Sequence, residues 1–347
     1  MAATLDASVT DLRLDDDAWD EWVGRTPGGA YPQLTPWAWV KQQNGWTPER
    51  IVADGGSGPV GALVLVHRLG RTPWSVGYAA RGPVATRWDG RSIAAFSEAV
   101  RATARQRRLS HVTIDPGTEP THEVLEALRA AGWRPALESV QPLQSRVIDL
   151  AVSEEQVWAG LRSKWRQYVQ KARRGGVVVV EADASGLDAF YAILVETAER
   201  SGFLYRTADS YRRVFEAYAA KGAARLLFAR LPDGSAGATL MLIEACGHVV
   251  EPYGGMTAAG ATARANYLIK WEAIRQARER GYTAYDMWGL PNEGIAQFKA
   301  GFGGRAVRYV GAWDLVMDAP IRSALSLARR LRHRIATRGV PAVGGPE

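Results

Sequence analysis

The sequence of 347 residues contains one cysteine, Cys246. A single cysteine allows no intramolecular disulfide and no thiolate cage for a metal, which is typical of proteins from a reducing compartment. Nowhere do eighteen apolar residues follow one another, and the amino terminus lacks a basic start followed by an apolar stretch. We therefore expect a cytoplasmic protein with no integral membrane segment.

Common catalytic motifs are also missing. The five histidines show neither an H-E-x-x-H spacing nor a companion cysteine pair, so no metal site is predicted. The sequence has no G-x-S-x-G elbow and no G-x-x-x-x-G-K-[ST] phosphate loop. These absences disfavour a zinc enzyme, a serine hydrolase and a P-loop ATPase.

Basic residues are in excess. The net charge of +7 and the isoelectric point near 9.6 favour an anionic partner such as nucleic acid, a phosphorylated metabolite or a membrane surface. The length exceeds what one hydrophobic core usually supports, so two domains are expected.

The order of predicted elements occurs twice along the chain. In each half, strands around a turn precede an amphipathic helix, and a short apolar strand that ends in aspartate follows it ("HVTIDP" and "TAYDMWGL"). The pattern predicts an α/β fold with mixed sheets in two similar domains. We place the first at residues 1–150, completed by a basic amphipathic helix at 319–340, and the second at 151–318.

A basic helix is predicted at the start of the second half. Over residues 162–174 it carries six cations and no acidic residue: Arg162, Lys164, Arg166, Lys171, Arg173 and Arg174. One interpretation is a solvated charged helix, and the other is a phosphate-binding face. The helix at 319–340 is equally open, since it could cover the core, lie on an anionic membrane or contact RNA.

The stretch "FKAGFGG" at residues 298–304 is typical of a functional loop, with one lysine between two phenylalanines and several glycines.

Two small α/β modules suggest acyl transfer by analogy of fold alone. An acyl-CoA enzyme is expected to carry a [QR]-x-x-G-x-[GA] turn before its central helix, where backbone amides hold the pyrophosphate. The corresponding "MTAAGATARAN" lacks that pattern.

Several stretches together resemble the Fem (FemABX) family of aminoacyltransferases, two-module proteins of the GNAT type. They are, in order, "YPQLTPWAWVKQQNGW", "YAARGPV", "RSKWRQYVQKARRGGV", "GFLYRTADSY", "PYGG", "ANYLIKWEAI", "YDMWGL" and "FKAGFGG". The resemblance covers residues 31–316. It departs from the family at Leu34, where Ser or Thr is usual, and at Asp209, and the chain lacks the long coiled-coil insertion of some members.

The resemblance implies transfer of an amino acid from aminoacyl-tRNA to the amine of a peptidoglycan precursor, in cell-wall synthesis and without a cofactor. It implies catalytic roles for Lys299 and Phe298, with the lysine stabilising negative charge on the reacting ester. The compact form is similar to the monomeric members that use nucleotide-linked precursors.

Other positions follow from the same resemblance. The precursor-binding residues would be Lys41, Arg206, Tyr78, Arg81 and Tyr253, and the tRNA-binding residues would be Lys164, Arg166, Lys171 and Arg173. The transferred amino acid stays open, as does the choice of a nucleotide-linked or a lipid-linked precursor. The alternative within the same class is an aminoacyl-tRNA-dependent transferase that extends a peptide antibiotic or another small peptide. An acyl-CoA N-acetyltransferase remains the less favoured alternative.

Overall fold

The computed structural model describes residues 15–137, 139–325 and 327. The chain divides into two compact units. Of the described residues, unit 1 comprises those up to 141 together with those from 309 onward, and unit 2 comprises those in the range 142–308. Each unit has its own seven-stranded sheet and its own hydrophobic core.

The described chain contains both helices and strands along its whole length. The helices are α1 (Asp16–Arg25), α2 (Thr35–Gln42), α3 (Gly90–Arg107), α4 (His122–Ala130), α5 (Glu154–Gly160), α6 (Ser163–Arg174), α7 (Leu187–Ser201), α8 (Ala208–Ala219), α9 (Ala258–Thr262), α10 (Ala265–Glu279) and α11 (Glu293–Ala300). The strands are β1 (Thr47–Asp54), β2 (Pro59–Arg68), β3 (Ser75–Arg81), β4 (Val84–Ala85), β5 (Leu109–Pro116), β6 (Arg134–Pro135), β7 (Gln144–Asp149), β8 (Val178–Ala182), β9 (Ala224–Arg230), β10 (Ala236–Ala245), β11 (His248–Met256), β12 (Ala284–Asp286), β13 (Arg305–Arg308) and β14 (Trp313–Val316).

The two sheets have matching topology. In unit 1 the strand order is β1-β2-β3-β5-β14-β6, with β4 beside β2, and the neighbours β3 and β5 run parallel. In unit 2 the order is β13-β7-β12-β11-β10-β9-β8, and the neighbours β11 and β12 run parallel. Parallel neighbours need a crossover connection, which α3 provides in unit 1 and α10 in unit 2. The predicted α/β class with mixed sheets is confirmed.

The crossover helices explain how each core is built. The side chain of Asp89 caps α3 by accepting the Ser92 N–H at 2.9 Å, and the helix then buries Ile93, Phe96 and Val100. Helix α10 buries most of its length against the sheet of unit 2, including Leu268, Ile269, Trp271 and Ile274. Both helices hold their sheet through apolar burial, as the 3.6-residue pattern predicts.

Two strands lie in a different unit from the one that the sequence suggests. Strand β7 falls within the predicted first domain but pairs with β12 and β13 in unit 2. Strand β14 falls within the predicted second domain but lies between β5 and β6 in unit 1. The sequence of a short strand does not indicate which strands it pairs with, so position along the chain alone assigns β7 and β14 to the wrong unit. Of the predicted helix at 319–340, residues 319–325 are helical, and most of the remainder lies outside the described residues.

Within the described ranges, no helix combines the length and the apolar character needed to cross a bilayer.

Candidate functional site

The stretch expected to form a loop begins inside a helix: residues 298–300 are helical, and residues 301–304 form the turn that follows. Phe298 and Lys299 lie in the last turn of α11, whose first turn is capped by the Asn292 side chain at 2.9 Å from the Ile295 N–H. The chain leaves the helix at Gly301, where an added Cβ would lie 2.2 Å from the Trp165 indole. Glycine is therefore required there by the close approach of α6, and not by an unusual backbone angle.

The Lys299 ammonium is held by three consecutive backbone carbonyls. Its Nζ donates to the carbonyl oxygens of Met287, Trp288 and Gly289 at 2.6, 2.8 and 2.8 Å. This turn follows β12 and places Trp288 in the left-handed region with φ of 57°. The Asp286 carboxylate braces the same turn by accepting the Trp288 N–H at 2.7 Å. A lysine so bound is a fixed point charge, because all its donors have acceptors.

A buried ion pair lies beside this lysine. Lys270 of α10 bonds Glu251 of β11, and the Tyr285 hydroxyl donates to the other carboxylate oxygen of Glu251 at 2.8 Å. The three residues are 6%, 7% and 0% exposed, so their charges and polar groups are satisfied by one another and not by water. The Lys270 ammonium lies 6.0 Å from the centre of the Phe298 ring.

These surroundings bring the Lys299 pKa close to neutrality. Burial lowers the Lys299 pKa to about 8, Glu251 and Asp286 oppose the fall, and Lys270 adds to it. Lys299 is therefore mainly cationic at neutral pH and loses its charge in mildly alkaline solution. The arrangement provides a fixed positive charge. For Lys299 to donate a hydrogen bond directly to a substrate oxygen, that oxygen must take the place of one of the three backbone carbonyl oxygens around Nζ.

Aromatic rings cover the face of α11 next to the lysine. The Phe298 ring lies 6.2 Å from Trp165 and 5.4 Å from Tyr267 between ring centres, and Tyr168 lies 4.8 Å from Tyr267. These four rings are only partly buried, whereas Phe302 is fully buried in the core. Phe298 thus belongs to a surface aromatic group, and Phe302 serves packing.

Cations stand over this aromatic group. The Arg264 guanidinium lies 4.6 Å from the centre of the Tyr168 ring, and the Lys164 ammonium lies 5.7 Å from the same ring. Arg264 precedes α10 in the left-handed conformation, with φ of 61°. We call Trp165, Tyr168, Tyr267, Phe298 and the two cations the aromatic-basic surface.

The predicted tRNA-binding residues of α6 differ in their surroundings. Lys164 and Lys171 are exposed. Arg166 donates to the carbonyls of Ala159 and Leu161 at 2.9 and 2.7 Å. Arg173 forms an ion pair at 2.6 Å with Glu272 of α10. Residues 162–174 contain no acidic residue, but Arg173 still has an acidic partner, because Glu272 of the neighbouring helix α10 pairs with it.

Two predicted precursor-binding residues lie in unit 2. Tyr253 of β11 packs edge-on against Tyr211, with ring centres 5.0 Å apart. Burial raises the Tyr253 pKa, and the positive charge of Arg206 opposes that rise. Arg206 is exposed in the loop between α7 and α8, and its backbone N–H donates to the Tyr211 hydroxyl at 3.1 Å.

The other three lie in unit 1. Lys41 is partly exposed in α2, with its ammonium 4.4 Å from the centre of the Trp37 ring. Tyr78 and Arg81 lie on β3, and the Arg81 guanidinium stacks 4.0 Å from the centre of the Tyr309 ring. Arg81 is 2% exposed, so it is a buried cation and not a surface one.

A buried carboxylate joins Tyr78 and Arg81, and the sequence interpretation gave it no role. Asp115 ends β5, is 1% exposed and accepts the Gln141 N–H at 3.0 Å, while the Gln141 side chain donates to the Tyr78 hydroxyl at 3.1 Å. Burial raises the Asp115 pKa to about 6, although Gln141, Arg81 and Tyr78 oppose the rise. The strand-to-aspartate repeat marks this position in the sequence.

Glu251 and Lys270 were missed as well. Both lie inside the family-like stretches or beside them, yet the sequence interpretation gave neither a role. The available indication was a lysine within the apolar run "LIKW" of α10, since a charge in a buried helix stripe needs a buried partner.

A known domain family and several known proteins are similar to this chain. The acetyltransferase (GNAT) domain family matches residues 159–300, which include α6, α10 and all of α11. A protein of Staphylococcus saprophyticus named Lipid II:glycine glycyltransferase is 22% identical over 390 residues, an alignment that covers 89% of this chain and 94% of that protein. A Staphylococcus aureus protein of the same name is 25% identical over 231 residues, which cover 63% of this chain and about half, 55%, of that protein.

The fold has a close counterpart among solved structures. The crystal structure of FemX superposes with a TM-score of 0.83 at 19% identity, covering 90% of this chain and 98% of that one. With the matching topology of the two sheets, this shows a fold of two tandem GNAT-like domains.

The motifs and the relatives extend this likeness to Fem-type proteins. The resemblance to Fem-type aminoacyltransferases drawn from the sequence is confirmed, and the protein is an aminoacyltransferase with GNAT-like domains.

Proposed function

We propose that this protein transfers an amino acid from aminoacyl-tRNA to the amine of a peptidoglycan precursor peptide, forming an interpeptide bridge. The proposed acceptor has its support in the relatives named Lipid II:glycine glycyltransferase. The observation that carries the proposed donor is the aromatic-basic surface beside Lys299. Aromatic rings interleaved with cations are how proteins bind single-stranded nucleic acid without reading its sequence, as the unpaired acceptor end of tRNA requires.

The start of α10 supports this donor over acyl-CoA. Acyl-CoA enzymes of this fold bind pyrophosphate on the backbone amides at that helix end. Here the position before α10 is Arg264, whose side chain extends over Tyr168. A terminal adenine stacking on Phe298 or Tyr168 would bring its phosphate near Arg264 and Lys164.

In the proposed reaction, the precursor amine attacks the ester carbonyl carbon of the aminoacyl-tRNA. A C–N bond forms, the ester C–O bond breaks, and the amine proton passes to the departing ribose oxygen, with the neighbouring ribose hydroxyl as relay. Negative charge develops first on the carbonyl oxygen and then on the ribose oxygen. The fixed charge of Lys299 stabilises both, an effect of roughly 3 kcal/mol when one such donor is removed from an enzyme.

The remaining predicted residues have supporting roles in this proposal. Lys41 and Arg206 contact the diphosphate or sugar of the precursor, and Tyr78, Arg81 and Tyr253 bind its remaining parts. Lys164 and Lys171 contact tRNA phosphates as exposed cations. Arg166 and Arg173, which have protein partners, contribute less to that binding than the two lysines.

The test is reconstitution with purified protein, total tRNA, aminoacyl-tRNA synthetases and a labelled amino acid pool. Nucleotide-linked and lipid-linked muropeptides are supplied in separate reactions, with and without RNase. RNase-sensitive labelling of a muropeptide is the expected result, and it also identifies the amino acid. Labelling that survives RNase, or transfer from acetyl-CoA instead, would contradict the proposal.

A matched pair of variants assigns the site. Lys299→Met is expected to lose transfer while retaining tRNA binding, whereas Lys221→Met, at an exposed turn after α8, is expected to retain both. Wild-type turnover by Lys299→Met would exclude Lys299 from the reaction.

A further inference from the structure

The loop between α7 and α8 exposes three consecutive apolar side chains. Phe203 is 42% exposed, Leu204 is 100% exposed and Tyr205 is 41% exposed. A run of exposed apolar residues at a loop tip is unusual for a surface that meets only water. It is typical of segments that enter an apolar phase.

The base of this loop is fixed, while its tip extends outward. The Gly202 N–H donates to the Ala198 carbonyl at 2.7 Å and ends α7 with φ of 72°. The Arg206 N–H donates to the Tyr211 hydroxyl at 3.1 Å. The Tyr205 ring lies 6.3 Å from the Tyr191 ring, edge to face. Leu204 therefore stands out from a supported turn.

The side chains at the loop tip change from apolar to charged in the same order as the layers of a membrane surface, from hydrocarbon to headgroups. A leucine suits hydrocarbon, and a tyrosine suits the boundary because its ring is apolar and its hydroxyl is polar. The next residue, Arg206, is exposed and has no carboxylate partner among residues 15–137, 139–325 and 327. A cation of this kind is attracted to anionic headgroups.

The neighbouring residue relates this tip to the acceptor. Arg206 is the proposed contact to the precursor diphosphate, so the role assigned to this loop rests on the proposed function. In a lipid-linked precursor the diphosphate is esterified directly to the hydrocarbon chain. In a nucleotide-linked precursor it bears a ribose and a base, which gain little from a leucine. Three apolar residues directly before Arg206 fit the lipid-linked form.

We infer that Phe203, Leu204 and Tyr205 insert into the surface of an anionic bilayer and contact the hydrocarbon chain of a lipid-linked precursor whose diphosphate binds Arg206. The acceptor is then lipid-linked, and the protein takes it from the membrane surface.

The first test is cosedimentation with vesicles of phosphatidylcholine and phosphatidylglycerol, with and without a polyprenyl diphosphate. Leu204→Ser is a suitable variant, because a fully exposed side chain has no packing to lose. Loss of one buried leucine is expected to weaken vesicle binding about tenfold. The matched control is Val178→Ser, 55% exposed on the edge strand β8, which is expected to bind as the wild type does.

Arg206→Gln separates the two sources of phosphate. It is expected to reduce binding to vesicles that contain the polyprenyl diphosphate much more than binding to vesicles without it. An equal reduction on both would show that Arg206 meets only phospholipid headgroups and would overturn its assignment to the diphosphate. Wild-type vesicle binding by Leu204→Ser would overturn the membrane role of the loop.

The transfer assay completes the test. With Leu204→Ser, kcat/KM for the lipid-linked precursor in vesicles is expected to fall about tenfold, with no change for a nucleotide-linked precursor. Equal falls for both would overturn the inference, since the loop would then contact a part that both precursors share. Vesicle binding does not require aminoacyl-tRNA. If binding depends on Leu204 but no muropeptide receives an amino acid, the result would contradict the proposed function and leave the membrane role of the loop intact.

Discussion

The buried pair of Glu251 and Lys270 gives a quantitative prediction for unit 2. Glu251→Gln keeps the shape of the side chain and its hydrogen bond with Tyr285 but leaves the Lys270 ammonium buried without a counter-charge. Both side chains are less than a tenth exposed, so solvent screening does not relieve the loss. Removing one partner of such a pair costs about 3–5 kcal/mol of unfolding free energy.

The double variant gives the decisive comparison. Glu251→Gln with Lys270→Met removes the charge and its partner together, and replacing a buried ion pair by well-packed groups is often neutral or stabilising. We expect the double variant to recover most of the stability lost by Glu251→Gln. Urea unfolding followed by tryptophan fluorescence measures Glu251→Gln, Lys270→Met and the double variant against the wild type.

A Glu251→Gln variant destabilised by less than about 1 kcal/mol would place the pair in the range of exposed salt bridges and contradict the cost assigned to a buried, unpaired ammonium. A double variant that is as unstable as the sum of its parts would contradict it as well, because uncoupled losses are additive.

The charges of the site give three further predictions. The Asp115 carboxylate binds a proton more tightly in the native state than in the unfolded state, so the native state loses stability as pH rises from about 4 to about 6. Asp115→Asn should therefore stabilise the protein by about 3 kcal/mol at pH 8 and by little at pH 4. Thermal unfolding at both pH values measures the difference. Transfer should decline above pH 8 as Lys299 loses its charge, and Lys299→Arg, if active, should lack that decline in single-turnover assays. Replacing Lys164 and Lys171 with Gln should reduce the salt slope of tRNA binding by about 0.7–0.9 per lysine, and Arg173→Gln should reduce it less.

Periodicity was enough to predict the elements that fill each core. The two crossover helices, the strands that precede them and the short strands that end in Asp115 and Asp286 all follow from apolar spacing and turn residues. The local sequence pattern did not predict which sheet contains β7 or β14, because the partners of a short strand are determined by residues far away in the sequence.

The site was predictable in its residue types and less so in its geometry. The "FKAGFGG" stretch marked Lys299, but its helical setting and its three carbonyl partners depend on the turn after β12. Arg173 looked unpaired only because its partner Glu272 is 99 positions away. The buried pair of Glu251 and Lys270 escaped notice since neither residue belongs to a motif with a known chemical role.

Two statements carry the proposed mechanism: aminoacyl-tRNA is the donor, and Lys299 acts on its ester. Their most direct test is a single-turnover reaction between purified, labelled aminoacyl-tRNA and a muropeptide acceptor, with wild type and Lys299→Met at equal tRNA occupancy. We expect label to move from tRNA to muropeptide with the wild type and a loss of at least about 100-fold in rate with the variant. Label that stays on tRNA with the wild type would contradict the proposed donor, and equal rates would contradict the role of the lysine.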